Sequence, residues 1–120
     1  MSAAADELAE ARRFVLERAP RTYGRPSDDD FVYRAAGNDY FWYYGTLAMF
    51  RAGGSARERW NAALKETLLG AQEEDGSWEP ISIYSEYAGD DDEDRSYTTA
   101  LCVLSLEVYY RYFTPLLEVR

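Results

Sequence analysis

Gln72-Glu73-Glu74-Asp75-Gly76-Ser77-Trp78 is the stretch whose reading decides the fold. The pattern before it is helical, and Asp75-Gly76-Ser77 is turn chemistry. Beyond it comes an acidic segment and then the apolar run Tyr97 to Tyr112. An outer-type helix, a tight turn and a more apolar helix therefore follow one another.

Working backwards, residues 56–71 read as a helix capped by Ser55. Ala56, Trp60, Ala63, Leu64, Thr67, Leu68 and Ala71 make one stripe; Arg57, Glu58, Arg59, Asn61, Lys65 and Glu66 make the other face. Before it, Gly53-Gly54 stops a helix over residues 40–52, with Asp39 as the expected N-cap. Tyr40-Phe41-Trp42-Tyr43-Tyr44-Gly45-Thr46-Leu47-Ala48-Met49-Phe50 has no polar face, and such a helix is packed on more than one side. Pro20, Gly24, Pro26, Asp28 to Asp30 and Gly37-Asn38 mark a loop, with Phe31, Val32 and Tyr33 expected to pin it to the body. The first helix spans residues 3–19, with Ser2 as its cap and Asp6 and Glu7 in its first turn. Leu8, Ala11, Val15 and Ala19, with Phe14 beside them, form its expected buried stripe, while Glu10, Arg12, Arg13 and Glu17 face away.

Forward of the turn, residues 72–95 read as an acidic loop with a short extended piece at 81–84. Ser96 is the expected cap of the fourth helix, residues 97–112. Tyr97, Leu101, Leu104, Val108 and Tyr112 give one apolar face; Ala100, Val103, Leu106, Cys102, Tyr109 and Tyr110 cover most of the rest. One-sided and all-round helices thus alternate. That order predicts an all-α fold of α/α hairpins in two layers, with the all-round helices inside, packed behind and open in front to a cavity or a further layer. An up-down bundle would instead want four comparable one-sided helices. Two similar helix pairs in tandem are also a repeat pattern.

The chain has 120 residues, the length of one ordinary domain. Hydrophobic residues make up 47%, which excludes a disordered chain, and 11 tyrosines are more than a small core needs. Tyrosine suits half-wet pocket walls and interfaces. The net charge of −9 argues against nucleic acid or an anionic membrane surface as partner. No apolar run reaches about 18 residues, so no membrane insertion is expected. A single cysteine forms no internal disulfide, and residues 1–7 have neither the basic start nor the apolar middle of a signal peptide; a cytoplasmic location is the expectation. The absence of histidine removes the commonest general base and metal ligand.

Gln72 to Trp78 resembles the QW motif, Gln-x-x-Asp-Gly-x-Trp, of squalene cyclases and protein prenyltransferases. Thr98-Thr99-Ala100-Leu101 and Glu107-Val108-Tyr109-Tyr110-Arg111-Tyr112 resemble the inner helix that follows the motif in bacterial proteins with prenyltransferase and squalene oxidase repeats. Tyr43 to Phe50 resembles the inner helix of the preceding repeat. The likeness covers about residues 38 to 115. It implies an α/α toroid, of which four helices are a part. It also implies structural roles for Gln72, Asp75, Gly76 and Trp78, the glutamine tying off helix ends and the tryptophan stacking over the turn.

The catalytic residues of the resembled families are missing. No Asp-x-Asp-Asp is present; Asp90-Asp91-Asp92-Glu93 comes nearest, and Thr99-Ala100 follows too late to complete it. The Asp, Cys and His zinc set of the prenyltransferases lacks its histidine, and the Gly-Cys-Gly-Glu-Gln of thioester toroids is absent. Asp90, Asp91 and Asp94 do fit Asp-Asp-x-x-Asp, whose carboxylates suit Mg²⁺, but helix capping in a solvated loop is the plainer account of five acids in a row. The triplet Asp28 to Asp30 has the same two readings. Cys102, among apolar residues and with no cation near it in sequence, reads as an inert buried thiol.

No cofactor follows from these residues. The expectation is a non-catalytic helical-repeat module in protein–protein interaction or self-association, with Tyr40, Tyr43, Tyr44, Tyr97, Leu101, Tyr109 and Tyr110 at an interface or around a pocket. The alternatives are a fragment or subunit of a terpene cyclase-like enzyme, or a module that binds an isoprenoid.

Overall fold

A computed structural model describes residues 3–24, 37–81 and 91–112. The described residues are all-helical, with no strand among them. The helices are α1 (Ala3–Leu16), α2 (Asp39–Ala52), α3 (Gly54–Ala71) and α4 (Asp91–Tyr112). None is long and apolar enough to cross a membrane. Helix α2 is the centre: it packs on the other three, most extensively on α4 and then on α3.

The hairpin of α2 and α3 turns on a single residue. Gly53 ends α2, donating its N–H to Met49 O at 3.2 Å, and its own carbonyl accepts Arg57 N–H at 3.3 Å as α3 begins. Its φ of +71° suits only glycine well. Helix α3 therefore starts at Gly54 with no side-chain cap, two residues before the range that the sequence predicts, and Ser55 lies inside it. The two helices close on Trp60, which is wholly buried. Its indole N–H donates to Thr46 Oγ1 at 2.9 Å, and Thr46 in turn donates to Trp42 O at 2.6 Å. A Cβ on Gly45 would stand 2.4 Å from the Trp60 ring, so glycine is what lets the helices meet here. The predicted stripe of α3 is the observed one: Ala56, Trp60, Leu64, Thr67 and Leu68 are buried.

Helices α2 and α4 run parallel. At one end Asp39 of α2 lies beside Thr98 and Cys102 of α4; at the other the Phe50 and Tyr109 rings meet edge-on at 5.2 Å. Helix α3 is antiparallel to both, since Arg57 near its start reaches Phe50 and Tyr109. The core runs through Trp42, Met49, Trp60, Leu64, Leu68, Trp78, Ile81 and Cys102.

Three expectations shift. The cap of α2 is Asn38, whose Oδ1 accepts Phe41 N–H at 3.0 Å; Asp39 is the first helical residue and is buried. Both residues are good caps, and burial of the second side chain selects the first. Helix α4 begins at Asp91, six residues before the predicted start at Tyr97, so the acidic run is not a loop from Asp91 on. Acids in a first turn complement the helix dipole, which allows the helix to extend through them. Helix α1 ends at Leu16, and its predicted stripe is covered only at the end: Val15, Leu16 and Ala19 pack on the core, whereas Leu8 and Phe14 are 66% and 54% exposed. The Arg18 guanidinium lies 3.5 Å over the Phe14 ring instead. Ser2, Asp28 to Asp30, Phe31 to Tyr33, the piece 82–84 and Asp90 lie outside the described residues.

Candidate functional site

The turn after α3 is held by side chains at both of its layers. Gly76 sits at φ +90° and donates to Glu73 O at 2.9 Å, while Glu73 N–H donates to Ser77 O at 2.8 Å. Gln72 Nε2 donates to Gly76 O at 2.9 Å, spanning the turn. Asp75 Oδ1 accepts both the N–H and the hydroxyl of Ser77, at 3.0 and 2.7 Å. These bonds favour the ionised carboxyl and hold its pKa below the usual range. Trp78 drops into the core, 1% exposed, and its indole N–H donates to Leu68 O at 2.8 Å. It is thus the tryptophan that satisfies a carbonyl in the last turn of α3, and the glutamine that staples the loop.

Two threonines of α4 receive this segment. Thr99 Oγ1 accepts Trp78 N–H at 3.1 Å and Thr98 Oγ1 accepts Ile81 N–H at 3.4 Å. Arg95 donates to Ser77 Oγ at 3.3 Å. Two open depressions lie here among the described residues, one bounded by Ser77, Arg95, Ser96, Thr99 and Ala100 and one by Glu73, Glu74, Asp75 and Arg95. Thr98 and Thr99 were visible in the sequence only through the family likeness; a pair of threonines inside an apolar helix was the signal for side chains that serve backbone groups of another segment.

At the opposite end Arg57 is the node. It donates from Nε and Nη2 to Phe50 O at 2.8 and 2.5 Å, capping α2, and stacks 4.4 Å over the Phe50 ring. Its own carbonyl accepts the Tyr109 hydroxyl at 2.9 Å. The sequence pattern puts Arg57 on the outer face of α3; in the structure it is half-buried and turned to the end of α2, because that end offers unpaired carbonyls.

The candidate interface residues separate. Tyr40, Tyr44, Tyr97 and Tyr110 are exposed, at 41%, 52%, 37% and 73%. Tyr43 and Tyr109 are half-buried and Leu101 is buried, so Leu101 is not available to a partner in this arrangement. Tyr40 and Tyr44 pack together at 5.0 Å. With Ala48 and Arg51 they make an exposed stripe on α2 at helical spacing, and Ser96, Ala100, Val103, Glu107 and Tyr110 make another on α4.

Of the candidate magnesium residues, Asp90 lies outside the described residues. Asp94 is buried and Asp91 opens α4, and no group of three or more metal-type ligands occurs among the described residues. Cys102 is free and buried, and desolvation pushes its thiol pKa well above the usual range. Beside it is a group whose burial the sequence does not foretell: Asp39, 1% exposed, with no hydrogen bond to either carboxyl oxygen among the described residues. Burial raises its pKa from 3.8 to about 6. The Tyr40 backbone and the Thr98 hydroxyl pull the other way without reaching good hydrogen-bond geometry. Tyr23, whose ring is 6.3 Å from that of Trp42 and whose hydroxyl donates to Glu79 O, completes the group.

No family model matches the chain, and no curated protein or solved structure matches it either.

Proposed function

We propose that the chain is a non-catalytic helical-hairpin module, laid out like prenyltransferase and squalene oxidase repeats, that binds a protein partner or a copy of itself through α2 and α4. The observation that carries this reading is the exposed aromatic surface on two parallel, otherwise well-packed helices, above all Tyr44 and Tyr110 at 52% and 73% exposure. Tyrosines on rigid helices lose little side-chain entropy on binding and supply both ring area and a hydroxyl, which is why they are enriched in contact surfaces. Helix direction alternates from α2 to α4, as it does in an up-down bundle as well. What supports a hairpin-repeat layout is that α2 packs most extensively on α4, a parallel helix that is not its neighbour in the chain, and little is left between α3 and α4. The paired, closed turn at Gln72 to Trp78 supports a structural role for that motif. The non-catalytic part rests on the sequence, which carries neither histidine nor Asp-x-Asp-Asp.

Sedimentation velocity across the micromolar range tests the self-association branch. The expected result is a mass that rises with concentration and falls back on Tyr44→Ser or Tyr110→Ser. A photo-crosslinking amino acid at position 44 or 110, introduced in the cells that express the protein, tests the partner branch by giving a discrete adduct. A chain that stays monomeric and crosslinks to nothing at either position would end this reading.

A further inference from the structure

The first turn of α2 is the part of the molecule that neither the hairpin scaffold nor the exposed tyrosines explain. Asp39 is 1% exposed, and neither Oδ1 nor Oδ2 has a hydrogen-bond partner among the described residues. An ionised carboxylate so placed is costly unless paired, and the ordinary escape is to hold a proton. The groups that face it offer no opposite charge and no hydrogen bond of good geometry. From α4 come Thr98, whose Oγ1 accepts Ile81 N–H and whose hydroxyl favours the ionised carboxyl less than desolvation opposes it, and Cys102, a buried thiol. From the segment after α1 comes Tyr23, whose hydroxyl donates away to Glu79 O. Tyr23 also feels the charges of Glu79 and Arg95, and Arg95 is turned to Ser77 Oγ at 3.3 Å. No charged side chain of α1 or α3 among the described residues acts on Asp39. The N-terminal dipole of α2 favours the anion, but desolvation is the larger effect.

We infer that Asp39 acts as a proton-operated latch between α2 and α4: at acidic pH the folded chain holds the carboxyl neutral and the latch closed, and ionisation towards neutral pH loosens it. The upward shift from 3.8 to about 6 fixes the sign. The folded pKa is above the unfolded one, so the stabilising contribution is complete below pH 3.8 and is lost as pH rises through about 6. The single cysteine reports on the latch, because Cys102 is 1% exposed against it and can be alkylated only when the two helices part.

The test compares the full-length chain with Asp39→Asn by urea denaturation at pH 4 and pH 7.5. Asparagine keeps the shape and cannot ionise. The folding constant of the wild type should fall about 60-fold relative to the variant between the two values, less than the full effect of a shift of about two pH units because the unfolded carboxyl is already partly ionised at pH 4. Other carboxyls titrate in both chains and cancel in the ratio. A second readout needs no variant: the rate of Cys102 alkylation by iodoacetamide, divided by that of the urea-unfolded chain at the same pH, should rise at least tenfold from pH 5 to pH 7.5. A pH-independent ratio, a wild type that gains on the variant as pH rises, or a flat alkylation ratio would overturn the latch.

Discussion

The two ends of the α2–α4 contact bury polar groups in opposite ways. At the carboxyl end the described polar groups are matched: the Arg57 guanidinium donates to Phe50 O, the Arg57 carbonyl accepts the Tyr109 hydroxyl, and the Phe50 ring contacts both the guanidinium and the Tyr109 ring. At the amino end Asp39 is enclosed by Thr98, Cys102 and Tyr23 and receives no hydrogen bond of good geometry. One helix pair therefore has an end whose polar groups are matched and an end whose strength depends on a proton. Polar burial is cheap when donors and acceptors are matched and expensive when one is orphaned, so the same degree of burial has opposite consequences.

Three substitutions probe that difference, in falling order of effect. Trp60→Ala removes the pivot that lies between the two ends and empties the space that Gly45 leaves for its ring. Loss of about 3–5 kcal/mol is expected by urea denaturation, enough to unfold a marginal domain. Arg57→Met keeps the stem and removes the charge-assisted bonds to Phe50 O, so it should cost about 1.5–3 kcal/mol. It should leave the pH dependence that Asp39 imposes unchanged, and a change in that dependence would show that the two ends are coupled. Tyr109→Phe removes only the hydroxyl bond to the Arg57 carbonyl while the ring contact with Phe50 stays. About 0.5–1.5 kcal/mol is expected from the same measurement.

Much of the scaffold was legible because it follows from periodicity and turn chemistry. The stripe Ala56, Trp60, Leu64, Thr67, Leu68 is buried as its spacing requires, and Gly53 turns the chain where two glycines stop a helix that is otherwise apolar. The acidic run was harder to place, since acids suit a solvated loop and a helix first turn alike; α4 takes them from Asp91 onward. The buried stripe of α1 was overdrawn, because a period marks which side of a helix is apolar and not whether another element reaches it. Leu8 and Phe14 lie on the right stripe and are exposed.

The candidate surface was legible in part. Tyr40, Tyr44 and Tyr110 are exposed, whereas Leu101 is buried and Tyr109 is tied to Arg57. Nothing local distinguishes these residues, which lie on two apolar helices and differ in what packs against them.

By itself the sequence determined four helical patterns, their breaks, and a turn at Gln72 to Trp78 with its own stapling side chains, because these depend on contacts between residues a few positions apart. Tertiary structure alone decided that α2 and α4 lie parallel, that Gly45 admits the Trp60 ring, that Arg57 faces inward, and that Asn38 caps α2 while Asp39 is enclosed. The reason is distance along the chain. Asp39 meets Thr98 and Cys102 some sixty positions away, and only the packing of two helices can turn a good capping residue into a buried carboxyl without a partner.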